Sequence, residues 1–126
     1  IEEYKTTDAE KIIFCIGTIC GTTRVVVDEL RKKGQKVGMI KISLFRPFPH
    51  EEILKKINSC KKLKKIIVLD RALSTGNRGI LYTELKDSLY EKKLPVKGYI
   101  TGLGGRDVTR QHIIKAFNLE KTEWLT

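Results

Sequence analysis

The chain has 126 residues, 40% hydrophobic and 32% charged, with a net charge of +10, three cysteines and two histidines. That length supports one domain with its own core, and no apolar run is long enough to cross a bilayer. Three cysteines without a Cys-x-x-Cys pair are too few for a zinc or iron–sulfur site, and their unpaired state fits a reducing cytoplasm.

Residues 1–10 are polar and start at Ile1 instead of Met, so they read as a linker from a missing N-terminal domain, with 11–126 as a single α/β domain. No basic, apolar and small-residue succession marks a signal peptide. Residues 11–17, KIIFCIG, predict a buried strand, four of the seven being β-branched or aromatic. Residues 22–33 carry Val25, Val26 and Leu30 at helical spacing, and Gly34 stands where a helix C-cap glycine belongs. A second strand follows over 36–45 and is stopped by Pro47 and Pro49, which cannot donate to a ladder. Residues 50–58 predict a short helix with Ile53, Leu54 and Ile57 on one side. Residues 65–70, KIIVLD, give the clearest strand. Leu81, Leu85 and Leu89 recur at four-residue steps in a predicted helix over 80–91. After Pro95 come a strand at 96–101 and a last helix at 108–117, with Trp124 in the tail as a packing anchor.

Strands alternating with helices at this spacing predict a mostly parallel sheet covered on both faces, with functional residues at the carboxyl ends of the strands. That edge collects Gly17, Arg46, Asp70, Arg71 and the glycine turn Gly102, Gly104, Gly105, Arg106, Asp107. The turn lacks the third glycine of a dinucleotide fingerprint and lies on the last predicted strand. Neither a nucleophile elbow nor a phosphate-binding loop is present, and no acid–base pair follows from spacing. His50 and His112 read as surface histidines. Cys15 reads as a buried small hydrophobe, and Cys20, near a helix start, as a mildly reactive thiol.

Arg46, Arg71 and Arg106 are suited to an anion near helix N-termini, but ion pairs with Asp70 and Asp107, within the domain or across a subunit contact, are the better reading, and Asp107 is also placed to cap the last helix. Phe45 and Phe48, set among prolines in FRPFP, either meet a neighbouring chain or close the end of the core. Lysines 55, 56, 61, 62, 64 and 65 supply much of the positive charge. Without interleaved aromatics they read as a solvated face, with nucleic-acid binding as the weaker alternative.

The combination VVVDELRKKGQKVGMIKISLFRPFP, IIVLDR and GYITGLGGRDVT resembles the second domain of the alpha chain in the pyruvate:ferredoxin oxidoreductase (pyruvate synthase) family, over about residues 4–117. The resemblance implies a three-layer α/β/α fold similar to the C-terminal domain of transketolases, with a five-stranded, mostly parallel sheet. The fifth strand is then to be found near the last helix or tail. Within the family, residues 102–109 favour the pyruvate enzyme over its 2-oxoglutarate and branched-chain relatives. The family makes acetyl-CoA, carbon dioxide and reduced ferredoxin from pyruvate, coenzyme A and oxidised ferredoxin, using thiamine diphosphate and iron–sulfur clusters held elsewhere. Neither set of cofactor motifs is in this chain, so the resemblance carries no catalytic residue onto it. It implies a cytoplasmic assembly element that meets other domains and subunits through Phe45, Arg46, Phe48, Arg71, Gly104, Gly105, Arg106 and Asp107. Binding of coenzyme A or phosphate at the arginine-rich edge is the alternative.

Overall fold

The computed structural model describes residues 1–17, 19–43, 47–70, 80–90, 92–100, 109–118 and 123–124, with backbone alone at 70, 80, 99, 100, 123 and 124. In chain order the elements are β1 (Glu2–Tyr4), β2 (Lys11–Ile16), α1 (Ile19–Lys32), β3 (Val37–Ile42), α2 (His50–Ser59), β4 (Lys65–Asp70), α3 (Ile80–Ser88), β5 (Val96–Ile100), α4 (Arg110–Asn118) and β6 (Glu123–Trp124). The strands form one sheet in the order β1-β3-β2-β4-β5-β6. Strands β3, β2, β4, β5 and β6 run parallel, and β1 alone is antiparallel, pairing Glu2 with Lys41 and Tyr4 with Met39. The fifth parallel strand expected near the tail is the two-residue β6, at the β5 edge.

Both faces of the sheet are covered, which is why its strands are apolar at successive positions instead of alternating with polar ones. On one face Ile12, Phe14, Ile40, Ile42, Ile66 and Val68 pack with Ile53 and Ile57 of α2 and with Leu81 and Leu85 of α3. On the other, Ile13, Cys15, Val37, Met39, Ile67 and Leu69 pack with Val26, Val27 and Leu30 of α1 and with Ile113, Ala116 and Phe117 of α4. Neighbouring residues of one strand thus serve opposite layers.

The helix ends follow local chemistry. The Gly34 N–H donates to the Arg31 carbonyl and the Gln35 N–H to that of Leu30, both at 3.0 Å. Gly34 sits at φ +87°, so the expected C-cap glycine closes a Schellman motif. At the other end α1 starts at Ile19, three residues earlier than its apolar spacing predicts. Gly17 at φ +80° turns the chain immediately after β2, and the Cys20 N–H reaches the Gly17 carbonyl at 3.2 Å. The buried stripe of α1 accordingly runs through Val26, Val27 and Leu30, while Val25 is half exposed. Helix α4 begins at Arg110, and Thr109 caps it: Thr109 Oγ1 accepts the His112 N–H and His112 Nδ1 accepts the Thr109 N–H, while Asp107, the expected cap, lies outside the described residues.

Residues 1–10, expected as a linker, supply the edge strand β1 and the turn after it. Their polar sequence hides this, because what holds them is distant in the chain. Arg31 donates through Nε to the Val37 carbonyl and through Nη2 to the Lys5 carbonyl, both at 2.7 Å, and pairs with Asp8 at 2.7 Å. Tyr4 Oη donates to Asp28 at 2.7 Å, beneath the Arg24 guanidinium. Gly38 lets the turn lie flat on β3, since a Cβ there would come within 2.6 Å of the Lys5 carbonyl oxygen.

Candidate functional site

Five parallel strands run in the same direction, so their carboxyl ends lie at one edge of the sheet. In the middle of the sheet β2 and β4 lie side by side, yet the chain departs from them to opposite sides. From β2 it passes through α1 to β3, and from β4 through α3 to β5. Diverging connections of this kind open a crevice at the carboxyl ends of the two central strands, where open α/β sheets bind ligands.

Gly17 lies at the end of β2 in this position, and no atom of the described residues stands within 4 Å of where its side chain would be. The first turn of α1 follows at once, and the amides of a helix start give this end a positive character. Cys15 and Cys20 flank the turn with their Sγ atoms 2.7 Å apart. Cys15 is fully buried and Cys20 is 4% exposed. The hydrogen bond from Cys15 and the charge of Lys41, the residue paired with Cys15 across the ladder, hold the Cys20 thiol below its ordinary range. The same hydrogen bond and burial push the Cys15 thiol up.

The sequence-predicted site residues divide sharply. Phe48 is 8% exposed and belongs to the core cluster beneath α2 and α3, its ring 4.9 Å from that of His50, so it closes the end of the core. Phe45, Arg46, Arg71, Gly104, Gly105, Arg106 and Asp107 lie outside the described residues, as do the side chains of Asp70 and Trp124. The backbone enters residues 44–46, 71–79 and 101–108 from the ends of the parallel strands β3, β4 and β5.

His50 is exposed, in contact with Ser88 Oγ through Nδ1 and 3.6 Å from Glu84 through Nε2, a link between α2 and α3. Of the lysine run, Lys56 pairs with Glu3 at 2.8 Å and Lys64 with Glu10 at 3.1 Å, so part of that charge is met within the domain. The Cys15–Cys20 contact was not legible in the spacing of the two residues. The signal that would have found it is Gly17, which makes the turn short enough to fold the helix start back over the strand end.

The family described as pyruvate:ferredoxin oxidoreductase core domain II matches residues 9–113. The chain belongs to this family. It is 45% identical to the pyruvate synthase subunit PorA of Thermotoga maritima over 93% of its length and 44% identical to that of Methanothermobacter thermautotrophicus over 90%. It is 46% identical to the ketoisovalerate oxidoreductase subunit VorA of Pyrococcus furiosus over 84%. The chain spans 27 to 30% of the length of these curated relatives. Subunits named for two different 2-oxoacids stand at nearly the same identity, so overall similarity alone does not choose between the substrates.

The cysteines of this core domain II do not fit an iron–sulfur cluster, because the sheet separates them. Cys15 and Cys20 are in the layer of α1 and α4, and Cys60 is in the layer of α2 and α3. Among the described residues no three His, Cys, Asp or Glu side chains come together as a metal site, and no helix is long and apolar enough to cross a membrane.

Proposed function

We propose that this core domain II is a non-catalytic assembly element in the alpha subunit of a cytoplasmic pyruvate:ferredoxin oxidoreductase. The parent enzyme converts pyruvate, coenzyme A and oxidised ferredoxin to acetyl-CoA, carbon dioxide and reduced ferredoxin. The observation that carries this reading is the family match over residues 9–113. Pyruvate is favoured over ketoisovalerate by the glycine turn at 102–109.

Thiamine diphosphate and the clusters belong to other parts of the complex, since cysteines on opposite faces of a sheet cannot share a cluster and no diphosphate-binding signature is present. The domain's own contribution is its carboxyl edge. Arg46, Arg71 and Arg106 offer planar, permanently charged donors to acidic groups of a neighbouring chain, and glycines 102, 104 and 105 let that chain's backbone come close.

The test is made in the whole complex. Arg46→Glu and Arg106→Glu in the full alpha chain are expected to reduce co-purification of the other subunits at least tenfold. Unchanged assembly in both variants, or a structure of the complex with both segments facing bulk solvent, refutes the assembly role. Heat from coenzyme A titration that disappears in Arg106→Glu while assembly persists replaces it with anion binding. Turnover with pyruvate and with ketoisovalerate, compared as kcat/KM, decides the substrate.

A further inference from the structure

Cys15 and Cys20 have no part in the function proposed above. Cys15 is the fifth residue of β2 and Cys20 the second of α1, and both carry free thiols. Their sulfurs lie 2.7 Å apart, only about 0.7 Å beyond a disulfide bond. Gly17 creates this approach by reversing the chain directly after the strand, and the fixed strand and helix on either side leave the two side chains facing each other. Among the described residues, no atom lies within 4 Å of where a Cβ at Gly17 or at Gly21 would stand, on either side of Cys20.

We propose that Cys15 and Cys20 are a redox-active dithiol that a hydroperoxide converts reversibly into an intramolecular disulfide. Cys20 is the attacking sulfur. It is at the start of α1, where the helix amides favour a thiolate, with the Cys15 sulfur 2.7 Å away to share a hydrogen bond and Lys41 adding a positive charge. Cys15, fully buried, keeps its proton.

The Cys20 thiolate attacks one oxygen of hydrogen peroxide and the O–O bond breaks. The departing hydroxide takes up a proton to become water, leaving a sulfenic acid on Cys20. Cys15 Sγ then attacks Cys20 Sγ, the S–O bond breaks, and the hydroxyl leaves as water with the Cys15 proton. Two thiols lose two electrons in all, and one peroxide is reduced to two waters. A dithiol reductant reverses the change by exchange. The bond would fix the first turn of α1 onto the end of β2, at the crevice between β2 and β4.

The test uses the full-length chain in its native complex, reduced under anaerobic conditions. It is then exposed to hydrogen peroxide, denatured in a thiol-blocking reagent, digested with trypsin and read by mass spectrometry. Residues 12–24 form one tryptic peptide holding both cysteines, and Cys60 lies in another, at 57–61. The expected result is loss of both blocking sites from peptide 12–24, which becomes two hydrogens lighter, with recovery of both after dithiothreitol and with Cys60 still blockable. In Cys15→Ala the Cys20 sulfenic acid, having no partner, is trapped by dimedone. Peptide 12–24 keeping both blocking sites at a peroxide dose that oxidises Cys60 overturns the proposal. Oxygen added separately to the two cysteines without an S–S bond also overturns it, and both readings come from the unmutated chain.

Discussion

Gly98→Ala is a one-atom probe of the layer formed by α3. Gly98 lies in β5 opposite Val68, on the face covered by α2 and α3. The Tyr82 ring of α3 lies across it, so that a Cβ at 98 would overlap Cδ2 and stand 2.9 Å from Cγ and 3.1 Å from Cε2. Tyr82 is only 5% exposed, and its ring has little room to turn aside. Overpacking of this kind costs about 1–3 kcal/mol, of which alanine returns about 0.4–1 kcal/mol through a less flexible unfolded chain. A net loss of about 1–2 kcal/mol remains. Unfolding entropy near 2.1 cal/mol/K per residue converts this into a fall in Tm of about 4–8 °C for a chain of this length. Thermal unfolding of Gly98→Ala, Tyr82→Leu and the double variant forms a cycle. Removing the ring should relieve the added methyl, so the double variant should exceed the additive value by about 1 kcal/mol or more. A Tm for Gly98→Ala within about 1 °C of the parent, or an additive cycle, refutes the reasoning.

Two further outcomes test the local chemistry. Arg31 holds the Asp8 carboxyl at about 2, below its ordinary 3.8, so its contribution to stability is complete above pH 3.8 and is lost as pH falls through about 2. Arg31→Gln should move the Asp8 midpoint, followed by carboxyl NMR, back towards 3.8, and an unmoved midpoint would contradict the pairing. Thr109→Ala removes the oxygen that accepts the His112 N–H and should cost about 1 kcal/mol. Faster hydrogen exchange in the first turn of α4, beyond that in α1, is the accompanying sign, and an unchanged denaturation midpoint would show that the cap contributes nothing.

Much of the fold could be read from the sequence because its causes are local. The apolar runs at 11–17 and 65–70 are too continuous for strands with one wet face, so a sheet covered on both sides followed from them. Leu81, Leu85 and Leu89 marked α3, and Gly34 marked the end of α1 through a left-handed conformation that glycine accepts at least cost. The candidate site was only partly legible. FRPFP gave equal support to an interface and to closure of the core, and its Phe48 lies in the core; exposure depends on neighbours that the motif does not contain.

The sequence by itself determined the order of elements from β2 to α4, the parallel sheet and the family, since periodicity, turn residues and motifs act over a few positions along the chain. Tertiary structure alone decided the role of residues 1–10 and the pairing of Cys15 with Cys20. Glu2–Tyr4 is a strand because Arg31, Asp28 and β3 hold it from more than twenty residues away, and its own side chains give little reason for it. The two thiols meet because Gly17 reverses the chain at the point where β2 becomes α1. Distances between side chains are set by the packing of whole elements, and spacing in the sequence does not contain them.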